Sequence, residues 1–201
     1  MRVTDALGQI AQIHDHLARA EQYRGLHPIA VAGSGLAGVL AAALQRWVVP
    51  ADDPAGFVFF WFVVAFIGGT SGSGPAVEAY IRREDEFARR RTRRVLFQFL
   101  PCVVAGLCVT LALYRSSPDV VRLFPGLWAV LFAIGVFSAR PYLPRAIGWV
   151  ALFYIIAGAT LLAIPPVDLA RAGWAVGLTF TIGQAGTGAV LWRNQERELD
   201  G

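Results

Sequence analysis

Residues 95–114 read VLFQFLPCVVAGLCVTLALY, twenty positions without Asp, Glu, Lys or Arg, closed off by Arg93 and Arg94 on one side and Arg115 on the other. About 20 apolar residues rising roughly 1.5 Å each cross a hydrocarbon layer about 30 Å thick, so this stretch has the length of a membrane-spanning helix. It does not alternate apolar with polar residues, as a membrane strand of about 10 residues would. The arginines mark where the chain re-enters a medium able to solvate charge.

Five further runs share this character, at 28–45, 54–77, 123–139, 146–167 and 172–192. With their flanking residues they predict spans at 28–47, 54–77, 95–114, 123–139, 146–166 and 171–192, an all-α, polytopic membrane bundle of six helices arranged as three helical hairpins. Composition agrees: 56% of residues are hydrophobic, 16% are charged and mean hydropathy is +0.52. A soluble domain of 201 residues would leave too much of such a surface in water.

Arginine sets the orientation, because all 18 basic residues are Arg. With the N-terminus inside, the inner segments carry Arg2, Arg19, Arg24, the seven from Arg82 to Arg94, Arg140, Arg145, Arg193 and Arg197, whereas the outer turns keep only Arg46, Arg115, Arg122 and Arg171. Fourteen against four is a positive-inside bias, and an even number of spans returns the C-terminus to the cytoplasm. Arginine without lysine is the usage of a GC-rich bacterial genome, which predicts a bacterial inner membrane. Trp47, Tyr80, Tyr114, Trp128, Tyr142 and Trp192 fall near predicted span ends, where amphipathic rings suit the headgroup layer; Trp61 and Tyr154 fall deeper. Ala41, Ala42 and Ala43 resemble a signal-cleavage site, but a signal has a short basic leader and here 27 mostly polar residues come first. Cys102 and Cys108 sit within one span and read as small buried hydrophobes.

Outside the spans, residues 1–27 form an amphipathic segment in which Thr4 suits an N-cap and Leu7, Ile10, Ile13 and Leu17 make one apolar stripe. The outer turns carry helix-start signals: Asp53-Pro54, Ser117-Pro118-Asp119, and Pro165-Pro166 with Asp168. A short similarity between Ile67-Gly68 with Gly72-Ser73-Gly74 and Ile182-Gly183 with Gly186-Thr187-Gly188 suggests duplicated hairpins. Gly68 and Gly72, and Ser34 and Gly38, have the small-residue spacing that lets membrane helices approach closely. Between spans two and three, residues 78–94 hold four acids and seven arginines, with Asp85–Arg89 and Glu86–Arg90 at i,i+4, which predicts a cytoplasmic helical extension. Its Arg89, Arg90, Arg91, Arg93 and Arg94 are candidates for contact with anionic lipid headgroups. Residues 193–201 complete the cytoplasmic side as a tail.

The spans hold no Asp, Glu, Lys, Arg or His at depth, which argues against a proton- or ion-coupled carrier, since such machines keep ionisable groups in the bundle. The polar candidates for intramembrane contacts or cavity lining are Ser34, Ser71, Gln98, Thr179, Gln184 and Thr187. Gln98 and Gln184 stand out, because an amide in hydrocarbon needs partners and the two are expected to bond to each other, to carbonyls or to a ligand. Gly69-Thr70-Ser71-Gly72 resembles the G-x-S-G serine motif of rhomboid intramembrane proteases, a family that also has a six-helix core. That chemistry needs a later membrane histidine, whereas His14, His16 and His27 all precede the first span, so the serine lacks a base. His14-Asp15-His16 diverge around a helix and form no metal shell, and without lysine there is no phosphate-binding P-loop. The basic segment lacks a nucleic-acid recognition fold. No cofactor is expected. These residues point first to a non-enzymatic scaffold, regulatory or accessory membrane component that engages lipid and a protein partner at its inner face. The second reading is a small carrier or channel for a neutral or apolar solute. The third is a lipid-modifying enzyme that uses His14, Asp15 and His16.

Overall fold

The computed structural model describes residues 26–82 and 86–199, and every regular element among them is helical. The helices are α1 (Pro28–Val48), α2 (Pro54–Arg82), α3 (Glu86–Ser116), α4 (Phe124–Ala139), α5 (Ile147–Ala163) and α6 (Leu169–Leu199), with short 3-10 turns at Pro118–Leu123 and Arg140–Tyr142 on either side of α4. The N-terminal amphipathic stripe lies outside the described residues. Four segments are long and apolar enough to cross a membrane by length and composition: Pro28–Val48, Pro54–Gly74, Arg93–Ser116 and Pro118–Tyr142; Ile147–Ala163 is apolar but shorter.

The start signals work as local chemistry predicts at two of three turns. Asp53 Oδ1 accepts the Gly56 backbone N–H at 2.9 Å, and Asp168 Oδ1 accepts that of Arg171 at 2.7 Å, so each satisfies a donor that a first helical turn leaves open. Ser117 instead precedes a 3-10 turn and makes no side-chain cap bond.

Glycine decides which helices meet. A Cβ on Gly38 would lie 3.0 Å from the Gly177 carbonyl oxygen, one on Gly177 would lie 2.6 Å from the Gly38 carbonyl oxygen, and one on Gly188 would lie 2.7 Å from Ala32. α1 and α6 are therefore antiparallel and in backbone contact from Pro28 beside Gly188 to Gln45 beside Gly173. Thr181 Oγ1 adds a 2.5 Å bond to the Gly35 carbonyl across this seam. α4 and α5 repeat the device, with Gly126 and Gly158 each within 3 Å of the other's carbonyl if given a Cβ. α1–α2 and α3–α4 also pack antiparallel, at Ser34 against Gly72 and at Phe99 against Gly135. The two closest seams thus join the expected hairpins to one another, while α5 and α6 touch less extensively.

Two aromatic clusters fill the interior. Phe132, Tyr154 and Phe180 have ring centroids 4.9 to 5.3 Å apart, and Tyr154 occupies the space that a side chain at Gly183 would need. Phe57, Trp61, Phe124 and Trp128 form the second cluster.

The antiparallel packing sorts the charges into two ends. Arg93, Arg94, Arg140, Arg145, Arg193 and Arg197, all exposed, share the end where α1 begins and α6 finishes. The opposite end mixes Arg46, Arg115, Arg122 and Arg171 with Asp52, Asp53, Asp119 and Asp168. Exposed tryptophans mark both: Trp149 and Trp192 at the arginine-rich end, Trp47 and Trp174 at the other. Trp174 and Trp192, eighteen residues apart on α6, are separated by roughly 27 Å of helix, close to a hydrocarbon thickness of about 30 Å.

Candidate functional site

The best-connected polar side chain is one that sequence reasoning passed over. Gln45, only 4% exposed, accepts the Trp61 Nε1 proton at 2.8 Å and donates from Nε2 to the Leu169 carbonyl at 2.8 Å. It ties α1 to α2 and to the first residue of α6. Gly173 leaves the room for it, since a Cβ there would collide with the amide. Both ends of the amide are satisfied, so its role is to clamp three helices. The available signal was Trp61, whose buried indole N–H requires an acceptor on a neighbouring helix. A shallow apolar cleft of about 380 Å³ opens beside Gln45 between Trp47 and Trp174. A second pair repeats the logic between α3 and α4: Trp128 Nε1 donates to Thr110 Oγ1 at 2.9 Å, and Thr110 donates to the Gly106 carbonyl at 2.6 Å.

The polar residues singled out in the spans do not converge. Ser34 donates to the Val31 carbonyl at 2.7 Å and faces Gly72. Ser71 is exposed and donates to the Ile67 carbonyl of its own helix. Thr187 donates to the Gly183 carbonyl at 2.9 Å, and Thr179 is buried on α6. Gln184 sits on the α1–α6 seam, where its Cβ would be 2.9 Å from a Cβ at Gly35. Gln98 is on α3, which packs on α4 and not against that seam, so the two glutamines have no bond between them. The two similar glycine-rich stretches also do different work: Gly72 receives Ser34, whereas Gly183 receives the Tyr154 ring and Gly188 receives Ala32.

Gln98 is nevertheless the unusual member of the set. Its Oε1 is buried and has no hydrogen-bond partner. Three residues further on, Pro101 lies inside α3 and has no N–H, so the Phe97 carbonyl one turn back loses its helical donor. One turn before Gln98 stand Arg93 and Arg94, both exposed. Of the five proposed lipid-contact arginines, these two can be placed; Arg89, Arg90 and Arg91 fall within α3, with side chains outside the described residues. Cys102 is half-buried against Gly135, while Cys108 is exposed, so only one of the two matches the expectation of a buried hydrophobe.

Among the described residues no group of three or more His, Cys, Asp and Glu side chains is placed to hold a metal ion. Comparison with known protein families, with curated proteins and with solved structures finds no match.

Proposed function

We propose that this chain is a six-span protein of a bacterial inner membrane, both termini cytoplasmic, and that it serves as a non-enzymatic accessory component holding a partner protein at its arginine-rich end. The observation that carries this reading is helix length. α2, α3 and α6 contain 29, 31 and 31 residues, or roughly 45 Å each, which exceeds a hydrocarbon thickness of about 30 Å. The excess of all three helices lies at the same end, where α2 finishes, α3 begins and α6 finishes, and it forms a platform beyond the bilayer. The apolar centre supports a holding role over transport, because the rings of Phe132, Tyr154 and Phe180 occupy it. Described Asp, Glu, Arg and His side chains all sit at the two ends of the bundle.

A photo-crosslinking residue in place of Ala88, used in native membranes, tests the reading. The expected result is a discrete heavier adduct with a second protein that disappears when Arg193 and Arg197 are both changed to Glu. Recovery of the uncrosslinked chain alone contradicts it.

A further inference from the structure

The cleft of about 380 Å³ where α1 ends and α6 begins is lined by Ala42, Ala43, Gln45, Arg46 and Trp47 of α1 and by Ala170 and Trp174 of α6. Its volume falls within the roughly 300–1,000 Å³ of small-molecule sites. Alanine methyl groups make the floor, and two indoles flank it, 67% exposed at Trp47 and 42% at Trp174. Gln45 contributes no free polar group, because its amide is already bonded to Trp61 and to the Leu169 carbonyl. The part of a ligand that enters this space is therefore hydrocarbon.

The polar groups beside it are donors. The Arg46 guanidinium lies 3.9 Å from the centre of the Trp47 ring, and no carboxylate pairs with it among the described residues. Stacking on an indole holds the guanidinium in place and leaves its N–H groups available to an anion. The indole N–H groups of Trp61, Trp128 and Trp192 donate to Gln45, Thr110 and Glu196. Those of Trp47 and Trp174 have no acceptor among the described residues.

The floor continues toward the middle of the bundle on the same side of the α1–α6 seam. Trp174 and Leu178 each follow a seam residue, Gly173 and Gly177, by one position, which is roughly 100° around the helix. Leu36 and Ala43 follow Gly35 and Ala42 in the same way on α1. In an antiparallel pair both sets flank one side of the contact, so the exposed Leu178 and Leu36 extend the cleft. A cation, indole donors and then hydrocarbon match the phosphate, ester carbonyls and acyl chain of a glycerophospholipid.

We propose that this cleft binds one phospholipid of net negative charge, with its phosphate on Arg46, its ester carbonyls accepting from the indoles of Trp47 and Trp174, and an acyl chain on the alanine floor between Leu178 and Leu36. The site requires the bundle to lie in a bilayer, but neither a protein partner nor a particular direction for the two ends.

The test is native mass spectrometry of the full chain in detergent with phosphatidylglycerol, phosphatidylcholine, diacylglycerol or oleate added. Phosphatidylcholine carries its own cation beside the phosphate, diacylglycerol keeps the esters and chains without a phosphate, and oleate has an anionic head without the esters. Phosphatidylglycerol should be retained best, phosphatidylcholine less, and diacylglycerol and oleate least. Arg46→Gln should lower phosphatidylglycerol retention about tenfold, the equivalent of about 1.4 kcal/mol, and leave diacylglycerol unchanged. Trp174→Phe, which keeps a ring and loses the N–H, should lower it about fivefold. Ala170→Phe fills the cleft and should lower phosphatidylglycerol and diacylglycerol alike; Ala170 is exposed, so this variant should melt close to the parent chain. Equal retention of phosphatidylglycerol and diacylglycerol by the parent, phosphatidylglycerol retention undiminished by either Arg46→Gln or Ala170→Phe, or firmer retention of oleate overturns the site. Loss of the Ala88 crosslink with lipid retention intact would count against the partner reading alone.

Discussion

The α1–α6 seam and the α2–α3 edge are built from the same stock of small and apolar residues, yet they behave as opposites. Along the seam, Gly38 and Gly177 bring two backbones so close that neither position has space for a methyl group. Along the edge, Gly69 has nothing within 4 Å of where a Cβ would be, and the membrane-length window of α3 is 6% buried against 39% for α1. Lipid tails are as apolar as leucine, so apolar character alone does not draw helices together in a bilayer. Association follows from close backbone contact and from a few satisfied polar bonds, and where both are missing the helix faces lipid.

Substitutions at matched glycines probe this contrast most sharply. Gly177→Ala should destabilise the chain by about 1–3 kcal/mol, the range for overpacking a tight contact, while Gly69→Ala should be neutral or slightly stabilising through helix propensity. Thermal loss of the monodisperse species in detergent measures both, and equal melting points for the two variants would dissolve the distinction. A smaller effect is expected at the polar clamp. Gln45→Leu removes the acceptor for Trp61 Nε1 and the donor to the Leu169 carbonyl, and should cost about 1–2 kcal/mol with a blue shift in tryptophan emission as the indole loses its partner. Unchanged emission and stability would mean that α1, α2 and α6 are not joined there. The smallest effect belongs to the open edge: Phe66→Ala, at a side chain 71% exposed, should change stability by no more than about 0.5 kcal/mol. A large loss would show that α2 packs on something its neighbours in the bundle do not supply.

Four helices long and apolar enough to cross a membrane were legible in the sequence because charge is excluded from hydrocarbon, so the limits of those runs could be read from Arg, Asp and Glu alone. Asp53 and Asp168 were readable for a similar reason, since a helix start exposes N–H groups that a nearby carboxylate satisfies. Pairing was less accessible. Small-residue spacing shows that a helix can be approached, and Gly68, Gly72, Ser34 and Gly38 all have it, but the spacing does not name the partner. Ser34 went to Gly72 on α2, and Gly38 went to Gly177 on α6. The same limit explains the glutamines. Hydrocarbon makes every buried amide require a bond, which suggested joining Gln98 to Gln184, whereas the packing order put them on helices that share no extensive contact. Gln45, the last position of the charge-free run 28–45, carries no such signal in the sequence and is the link between three helices.

The arginine-rich end is proposed to face the cytoplasm, with the bundle between the two ends in the bilayer. This placement is tested most directly by labelling single cysteines with a membrane-impermeant maleimide in intact cells, after Cys102 and Cys108 have been changed to Ala. Cysteines at Asp52 and Ser117 should react before the cells are opened, and one at Asn194 only afterwards. Labelling of Asn194→Cys in intact cells, or protection of both Asp52→Cys and Ser117→Cys, would contradict the account.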